Sequence, residues 1–394
     1  MASPARPNAK RIAAALPPIE LLTEDLLAEI LLRLPTLADI GRATASCAAF
    51  RRVAAGRAFL RRLRSVHPAP LLVLLRLVSI QPAEPPHSSA PYARAFAGAA
   101  DLSFSFLPSL GPWLPVDARD GRVLLIKRVV LRRHALAVCD PLSRRYTLLP
   151  QIPGDRFSKI RSGIKPFLVP ANDEEAETSF RVVCAASDAF QQMIAFIFSS
   201  ATGQWSSLAI GADAQPVRKM TGPRGYAYSC LYWKVDGTDS LIVFDTRSME
   251  FSLVHIPFSQ HQQQQDLIIV EAGGGRLGTF TLDNSIISAV SQLVYAIREI
   301  DEDGSSRWRI ERRVRLPSQN LFSFEDATDR YLLLRGTPWN LGLGSNMDDV
   351  ETGYFSFELE SMQIEKLYTI RFRDDIPNVK LFAGFPPSLC LPGI

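Results

Sequence analysis

The sequence contains no Cys-x-x-Cys pair. Its five cysteines, Cys47, Cys139, Cys184, Cys230 and Cys390, are scattered over 394 residues and odd in number. That pattern argues against a disulfide framework and a structural zinc site, and for free, mostly buried thiols in a reducing compartment. No stretch approaches the ~20 consecutive apolar residues a membrane-spanning helix needs; the front run 71–75 is broken by Arg76. The histidines, His67, His87, His134, His255 and His261, show neither metal-ligand spacing nor a partner carboxylate, and read as surface or loop residues. No Gly-x-Ser-x-Gly elbow, His-Glu-x-x-His helix or Walker-type loop occurs, so no catalytic residue, metal or cofactor is expected. Residues 273–278, GGGRLG, fit Gly-x-Gly-x-x-Gly after an apolar strand. A β-type run, TFTLD, follows where a dinucleotide site requires a helix, so these glycines read as a hairpin turn.

The composition is that of a globular chain: 47% hydrophobic, 21% charged, net charge +4. At ~100–200 residues per domain, one large and one small domain or two medium ones are expected. Residues 1–18 carry Arg6, Lys10 and Arg11 before an apolar stretch too short for a signal peptide, and read as a disordered tail. The expected location is cytoplasmic, nuclear or both, without membrane contact.

Helical periodicity is strongest over residues 23–35, where Leu26, Leu27, Ile30, Leu31 and Leu34 recur on one face. Thr23 is placed to cap this helix, Glu24 and Asp25 suit its first turn, and Pro35 ends it. Second and third helices are expected over about 36–46 and 47–55, the latter stopping near Gly56. Three short helices cannot bury all their apolar positions internally, so one face should meet a partner. Arg51, Arg52, Arg57, Arg61, Arg62 and Arg64 crowd the end of this region. With Val53, Phe59, Leu60 and Leu63 on the opposite side and no interleaved aromatics, they read as a solvated face and not as a nucleic-acid site.

Residues 67–95 read as a linker, Pro/Ser-rich at 82–91, where first proteolytic cleavage would be expected. From about residue 96 to the end, short β-branched and aromatic runs alternate with turn residues. One phrase recurs: strand, polar turn, anchor, second strand. It appears at 136–150, 194–210, 241–257, 295–317 and 354–370, with anchors Tyr146, Trp205, Phe251, Trp308 and Ile364 separated by 46 to 59 residues. Such a period suits the blades of a β-propeller of kelch-like kind, whose radial closure hides sheet edges; a pair of β-sandwiches could give similar strand density. Residues 261–265, HQQQQ, read as a loop insertion.

Residues 22–60 resemble the F-box family. The match runs through Leu22, Asp25-Leu26-Leu27, Glu29-Ile30-Leu31, Arg33-Leu34-Pro35, Asp39-Ile40, Arg42, Cys47 and Phe50-Arg51, with Phe59-Leu60 fitting the trailing helix. Thr23 stands where the family usually has proline, and Phe50 where it has tryptophan. The remainder is similar to the propeller-like domains behind plant F-boxes: residues 138–150, VCDPLSRRYTLLP, resemble their blade phrase and residues 385–392, FPPSLCLP, their closing segment. The resemblance implies an α+β multidomain chain, with a small N-terminal three-helix F-box at 19–66 and an all-β propeller-like domain at 96–394. It implies a substrate receptor of an SCF (Skp-cullin-F-box) ubiquitin ligase that performs no chemistry itself. Its partners would be the Skp-type adaptor, through that adaptor the cullin and RING proteins, and a protein substrate that the sequence does not specify. The adaptor would meet, or rest on a surface braced by, Leu22, Leu27, Ile30, Leu34, Pro35, Ile40, Cys47 and Phe50. The alternative is a propeller interaction protein acting outside the ubiquitin system.

Overall fold

The computed structural model describes residues 22–67, 69–76, 80–108, 112–128, 134–153, 164–169, 179–187, 193–209, 220–235, 238, 240–255, 267–285, 290–300, 306–339, 350–371 and 379–384. The chain divides into two units, residues 1–69 and 70–394.

Among the described residues the first unit is a bundle of four helices, α1 (Glu24–Leu32), α2 (Leu37–Ser46), α3 (Ala48–Ala54) and α4 (Arg57–Val66). The expected three are present, and α4 is a fourth. Thr23 caps α1 as expected, its hydroxyl oxygen accepting from the Leu26 amide. Thr36 and Asp39 cap α2 reciprocally: the Asp39 N–H donates to the Thr36 hydroxyl at 3.1 Å, and that hydroxyl donates to the Asp39 carboxylate at 2.6 Å. Leu27, Leu31, Leu32, Ile40, Ala49, Phe50, Val53 and Phe59 fill the core. The arginine cluster is partly committed to this bundle. Arg51 donates to the last-turn carbonyls of α2 at Thr44 and Ala45, Arg52 pairs with Glu24 at 3.1 Å, and Arg62 pairs with Glu29.

The second unit is a six-bladed β-propeller. Blade I holds β1 (Leu71–Leu75), β2 (Ile80–Pro82) and the last strand, β23 (Lys380–Ala383), in the order β2-β1-β23. Blade II is β3 (Leu114–Arg119), β4 (Arg122–Arg128), β5 (His134–Asp140) and β6 (Arg145–Leu148). Blade III is β7 (Lys165–Val169), β8 (Arg181–Ser187), β9 (Met193–Ser199) and β10 (Gln204–Ala209). Blade IV is β11 (Met220–Ala227), β12 (Cys230–Val235), β13 (Ser240–Asp245) and β14 (Glu250–His255). Blade V is β15 (Leu267–Glu271), β16 (Leu277–Ser285), β17 (Val290–Ile300) and β18 (Ser306–Arg315). Blade VI is β19 (Asn320–Ala327), β20 (Tyr331–Pro338), β21 (Glu351–Glu358) and β22 (Gln363–Arg371). Every pairing is antiparallel between consecutive strands except at the closure, where β1 pairs with β23. The strands β3, β7, β11, β15, β19 and β23 are the innermost of their blades.

Each of the five recurring phrases is the third-to-fourth-strand hairpin of a blade, and each anchor lies in the fourth strand. Tyr146 stands opposite Cys139, Trp205 opposite Phe198, Phe251 opposite Phe244 and Ile364 opposite Phe357. The four of these turns that lie in the described residues share one geometry: a residue at positive φ just before the fourth strand, Arg144, Gly203, Met249 or Met362. Asp140 and Asp245 hold two such turns by accepting from the amides two and three residues on. Gly273, Gly274 and Gly275 turn between β15 and β16 at positive φ, which places the glycine-rich run in a hairpin as expected.

The segment expected to be a linker, 67–95, is corrected by the structure. Leu71–Leu75 is fully buried, pairs with β23 on one side and over Val73–Leu75 with β2 on the other, and α5 (Ala90–Ala99) packs on this closing blade through Ala93 and Phe96, the latter stacked on Phe382 at 5.0 Å. The β unit therefore begins at Pro70 and not near residue 96. Residues 83–89 are fastened too. The Ala83 amide donates to Leu72, the Glu84 amide to Leu367 on β22, and the Ser88 amide and hydroxyl both donate to Glu365. His87 is buried here, against the expectation of a surface residue. Its Nδ1 accepts from the Ser89 amide, which leaves Nε2 to donate to Ser356 at 2.9 Å. Burial pushes the imidazole's pKa down, against the pull of Glu365. Limited proteolysis is expected to spare residues 82–91 in the folded chain; early cleavage there, located by mass spectrometry, would contradict these contacts. The expected tail at 1–18 and the phrase at 385–392 lie outside the described residues.

Candidate functional site

Two places carry more than packing requires, one in each unit. In the helical unit, α1 buries Leu27, Ala28, Leu31 and Leu32 and turns Leu26 and Ile30 outward, 52% and 40% exposed. These two stand four residues apart, one turn of helix, so they form a single apolar strip. Leu22 and Leu34 flank the helix, half-buried against the core, and Pro35 is exposed beside Leu34. Of the eight residues expected to contact or brace a docking face, Ile30 and Pro35 are open, and Leu22, Leu34 and Cys47 are half-covered. Leu27, Ile40 and Phe50 are interior and can only brace the surface. Leu26 was missing from that expectation; its spacing from Ile30 is the signal that finds it.

The second place is the propeller axis. Asp117 of β3 is buried and accepts at Oδ1 from Arg224 of β11 at 2.6 Å, two blades away. Its Oδ2 accepts from the Leu168 amide of β7, in the next blade, at 2.7 Å. Blade VI repeats the device. Asp326 accepts from the Leu381 amide of β23 at 2.9 Å and pairs with Lys380 at 3.1 Å. Both aspartates sit at β-bulges, Pro115/Asp117 and Phe324/Asp326, where the extra residue re-aims the side chain. The third alternate strand, β11, is bulged between Thr221 and Gly225; a Cβ on Gly225 would lie 2.4 Å from the Ile269 carbonyl oxygen of β15. Arg224 lies over the Phe167 ring and Arg119 over Tyr226. The inner strands of blades II, IV and VI thus contribute to a network of opposite charges, Asp117 with Arg224 and Asp326 with Lys380.

Burial alone would raise the Asp117 pKa, but the charge and hydrogen bond of Arg224, helped by Arg119 and Lys380, hold it below the ordinary carboxylate value. Burial likewise opposes the charged form of Arg224, and Asp117 outweighs it, so Arg224 stays protonated. A carboxylate with a depressed folded pKa contributes stability that is present above the unfolded value of about 3.9 and is lost as pH falls through the folded value. Asp117→Asn is therefore expected to lower stability at pH 7 by about 3–5 kcal/mol, the cost of orphaning a buried partner, and to flatten the dependence on pH below ~4. Urea melts at pH 7 and pH 3 test this; parallel wild-type and variant curves would contradict the assignment.

Among the described residues, no group of three His, Cys, Asp or Glu is placed to hold a metal ion. No helix among them is long and apolar enough to cross a membrane. Burial raises the thiol pKa of both Cys139 and Cys184, so neither is a ready nucleophile.

No family model matches the chain, and no curated protein matches it in sequence. Solved structures similar to it include the WD40 domain of SCAP from fission yeast (8% identity, TM-score 0.32, covering 67% of this chain and 66% of that one). Another is the dihydro-heme d1 dehydrogenase NirN (12%, 0.33, 68% and 58%). The SapL1 lectin in complex with alpha methyl fucoside is a third (10%, 0.36, 76% and 95%). The chain spans less than two thirds of the length of the first two. At such scores these likenesses say nothing of function, and the blade assignment stands on strand pairing alone.

Proposed function

We propose that the protein is the substrate-recognition subunit of an SCF ubiquitin ligase, docking a Skp-type adaptor through its helical unit and a protein substrate through its propeller. One observation carries the reading. The strip Leu26–Ile30, flanked by Leu22, Leu34 and Pro35, lies on a bundle whose interior is already full, within the residues that resemble the F-box family. Leaving such a strip in water has a cost that a partner's surface removes. The propeller supports the other half of the reading: a rigid ring of blades presents loops without requiring them to move. The chain itself makes no bond; it would supply proximity, raising the effective concentration of substrate lysines near the conjugating enzyme. The kelch-like relationship, plant-type origin and cytoplasmic or nuclear location belong to this same reading. Co-purification of the full chain with recombinant Skp-type adaptor tests it. Failure to bind at micromolar concentrations would leave an interaction protein independent of the ubiquitin system.

A further inference from the structure

The outermost strand of a propeller blade is an open sheet edge, and folds generally keep such edges short, charged or covered. Among the outer strands of blades II to VI, β6, β10 and β14 have four to six residues, whereas β22 has nine and β18 ten. The two long ones are treated differently. The edge of β22 is covered by residues 84–88, through the Glu84 amide on the Leu367 carbonyl and Ser88 on Glu365. Beyond β17, no described residue hydrogen-bonds to the backbone of β18 over residues 309–315.

The sequence of that edge, SRWRIERRVR, holds five arginines and one acid. Part of the charge is met. Glu299 pairs with Arg307 and Arg309, Glu311 with Arg309, and Asp283 with Arg313 at 3.5 Å. Arg312 and Arg315, both exposed, make no ion pair among the described residues. A bulge at Glu311 divides the strand. Trp308 and Val314 are six residues apart and would share a face of a regular strand. Here Trp308 packs with the core between blades IV and V, and Val314 with that between V and VI. Extra residue and switched faces together leave arginines projecting on both sides of the edge, with Ile310 49% exposed between them. At the blade's end, a cleft of about 740 Å³ adjoins the strand, lined by Tyr228, Arg276, Arg298, Glu299 and Arg307.

We propose that β18 accepts an extended acidic peptide segment as an added strand of blade V. Every second residue of an edge strand turns its N–H and C=O outward, which is what a peptide backbone pairs with. The arginines supply the selection. Like charges would repel a second copy of the same edge and attract alternating carboxylates. Single-stranded nucleic acid fits less well, because Trp308 packs against the core and is not free to stack on a base. In the receptor reading this names the substrate class, and the inference rests on that reading only for its role in the cell.

The test is fluorescence anisotropy with the full chain and a labelled twelve-residue peptide of alternating Glu and Val. Expected are saturable binding that weakens as salt rises, and at least tenfold weaker binding of the Gln–Val peptide. The Glu–Val peptide N-methylated at alternate amides, which cannot complete the ladder, should lose as much. Arg312→Glu with Arg315→Glu, both exposed and outside the core, should cost at least tenfold with an unchanged circular dichroism spectrum. Absence of saturable binding, an indifferent double variant, undiminished binding of the N-methylated peptide, or tighter binding of a twelve-nucleotide uridine RNA would each overturn the proposal. The same samples are tested against the Skp-type adaptor. Adaptor binding without peptide binding removes this inference alone, and peptide binding without adaptor binding removes the receptor reading alone.

Discussion

Ending the chain after residue 378 is expected to abolish the folded propeller while leaving the helical unit intact. The deletion removes β23, which is the inner strand of blade I and the strand that pairs with β1 to close the ring. It strips the partner from Leu71–Leu75, takes Phe382 from against Phe96, and leaves Asp326 without the Leu381 amide or Lys380. Phe→Ala at a buried site costs about 3–5 kcal/mol by itself, and a whole domain holds only about 5–15 kcal/mol. Losing Val379, Leu381 and Phe382 together should therefore exceed the stability available. Circular dichroism melts would show no cooperative β transition in the truncated chain. A transition at the wild-type temperature would mean that blade I does not close the ring.

The second large effect is expected at the docking strip. Leu26→Asp with Ile30→Asp should abolish co-purification with a Skp-type adaptor. Apolar anchors central to an interface cost ~2 kcal/mol or more each when truncated, and a carboxylate facing an apolar partner adds desolvation to that loss. Because both side chains are already solvent-facing in the free protein, the helical content and melting temperature should hardly change. Leu27→Asp offers the contrast. It also abolishes binding, but by unfolding the bundle, since Leu27 is 1% exposed. Wild-type affinity in the double variant would place the docking face elsewhere.

The helical unit was readable because its signals are local. Thr23, the four-residue leucine spacing and Pro35 act within a turn or two of each other, and the cap on α1 appears where Thr23 puts it. The blade hairpins were readable for a related reason: an apolar strand, a polar turn and a second strand follow one another closely in the chain, and that order recurs at 136–150, 194–210, 241–257, 295–317 and 354–370. The closing strand left no such mark. Residues 71–75, LLVLL, follow an arginine-rich helix and precede a Pro/Ser-rich stretch, and the pairing partner lies at the far end of the sequence. A five-residue aliphatic run fits a doubly buried strand, yet nothing nearby says what would bury it. The axial charges were hidden likewise. Asp117, Arg224, Asp326 and Lys380 come from four different blades, and only bulges, which sequence periodicity does not reveal, aim them at one another. Exposure separates the apolar strip from its support: Leu26 and Leu27 look alike in sequence, and one faces water while the other does not.

The pairing of Leu71–Leu75 with residues near 383 also bears on how the protein is made. A ribosome adding ~5–20 residues per second needs about 15–60 s to travel from the first of these strands to the last. Throughout that interval β1 lacks its β23 partner, and β2 pairs with it over Val73–Leu75 alone. The helical bundle, complete within its own first stretch of sequence, has no such wait. The nascent chain thus passes through a period in which its front is folded and its propeller displays an apolar, unpaired β edge, the kind of surface that chaperones hold and neighbouring nascent chains adhere to.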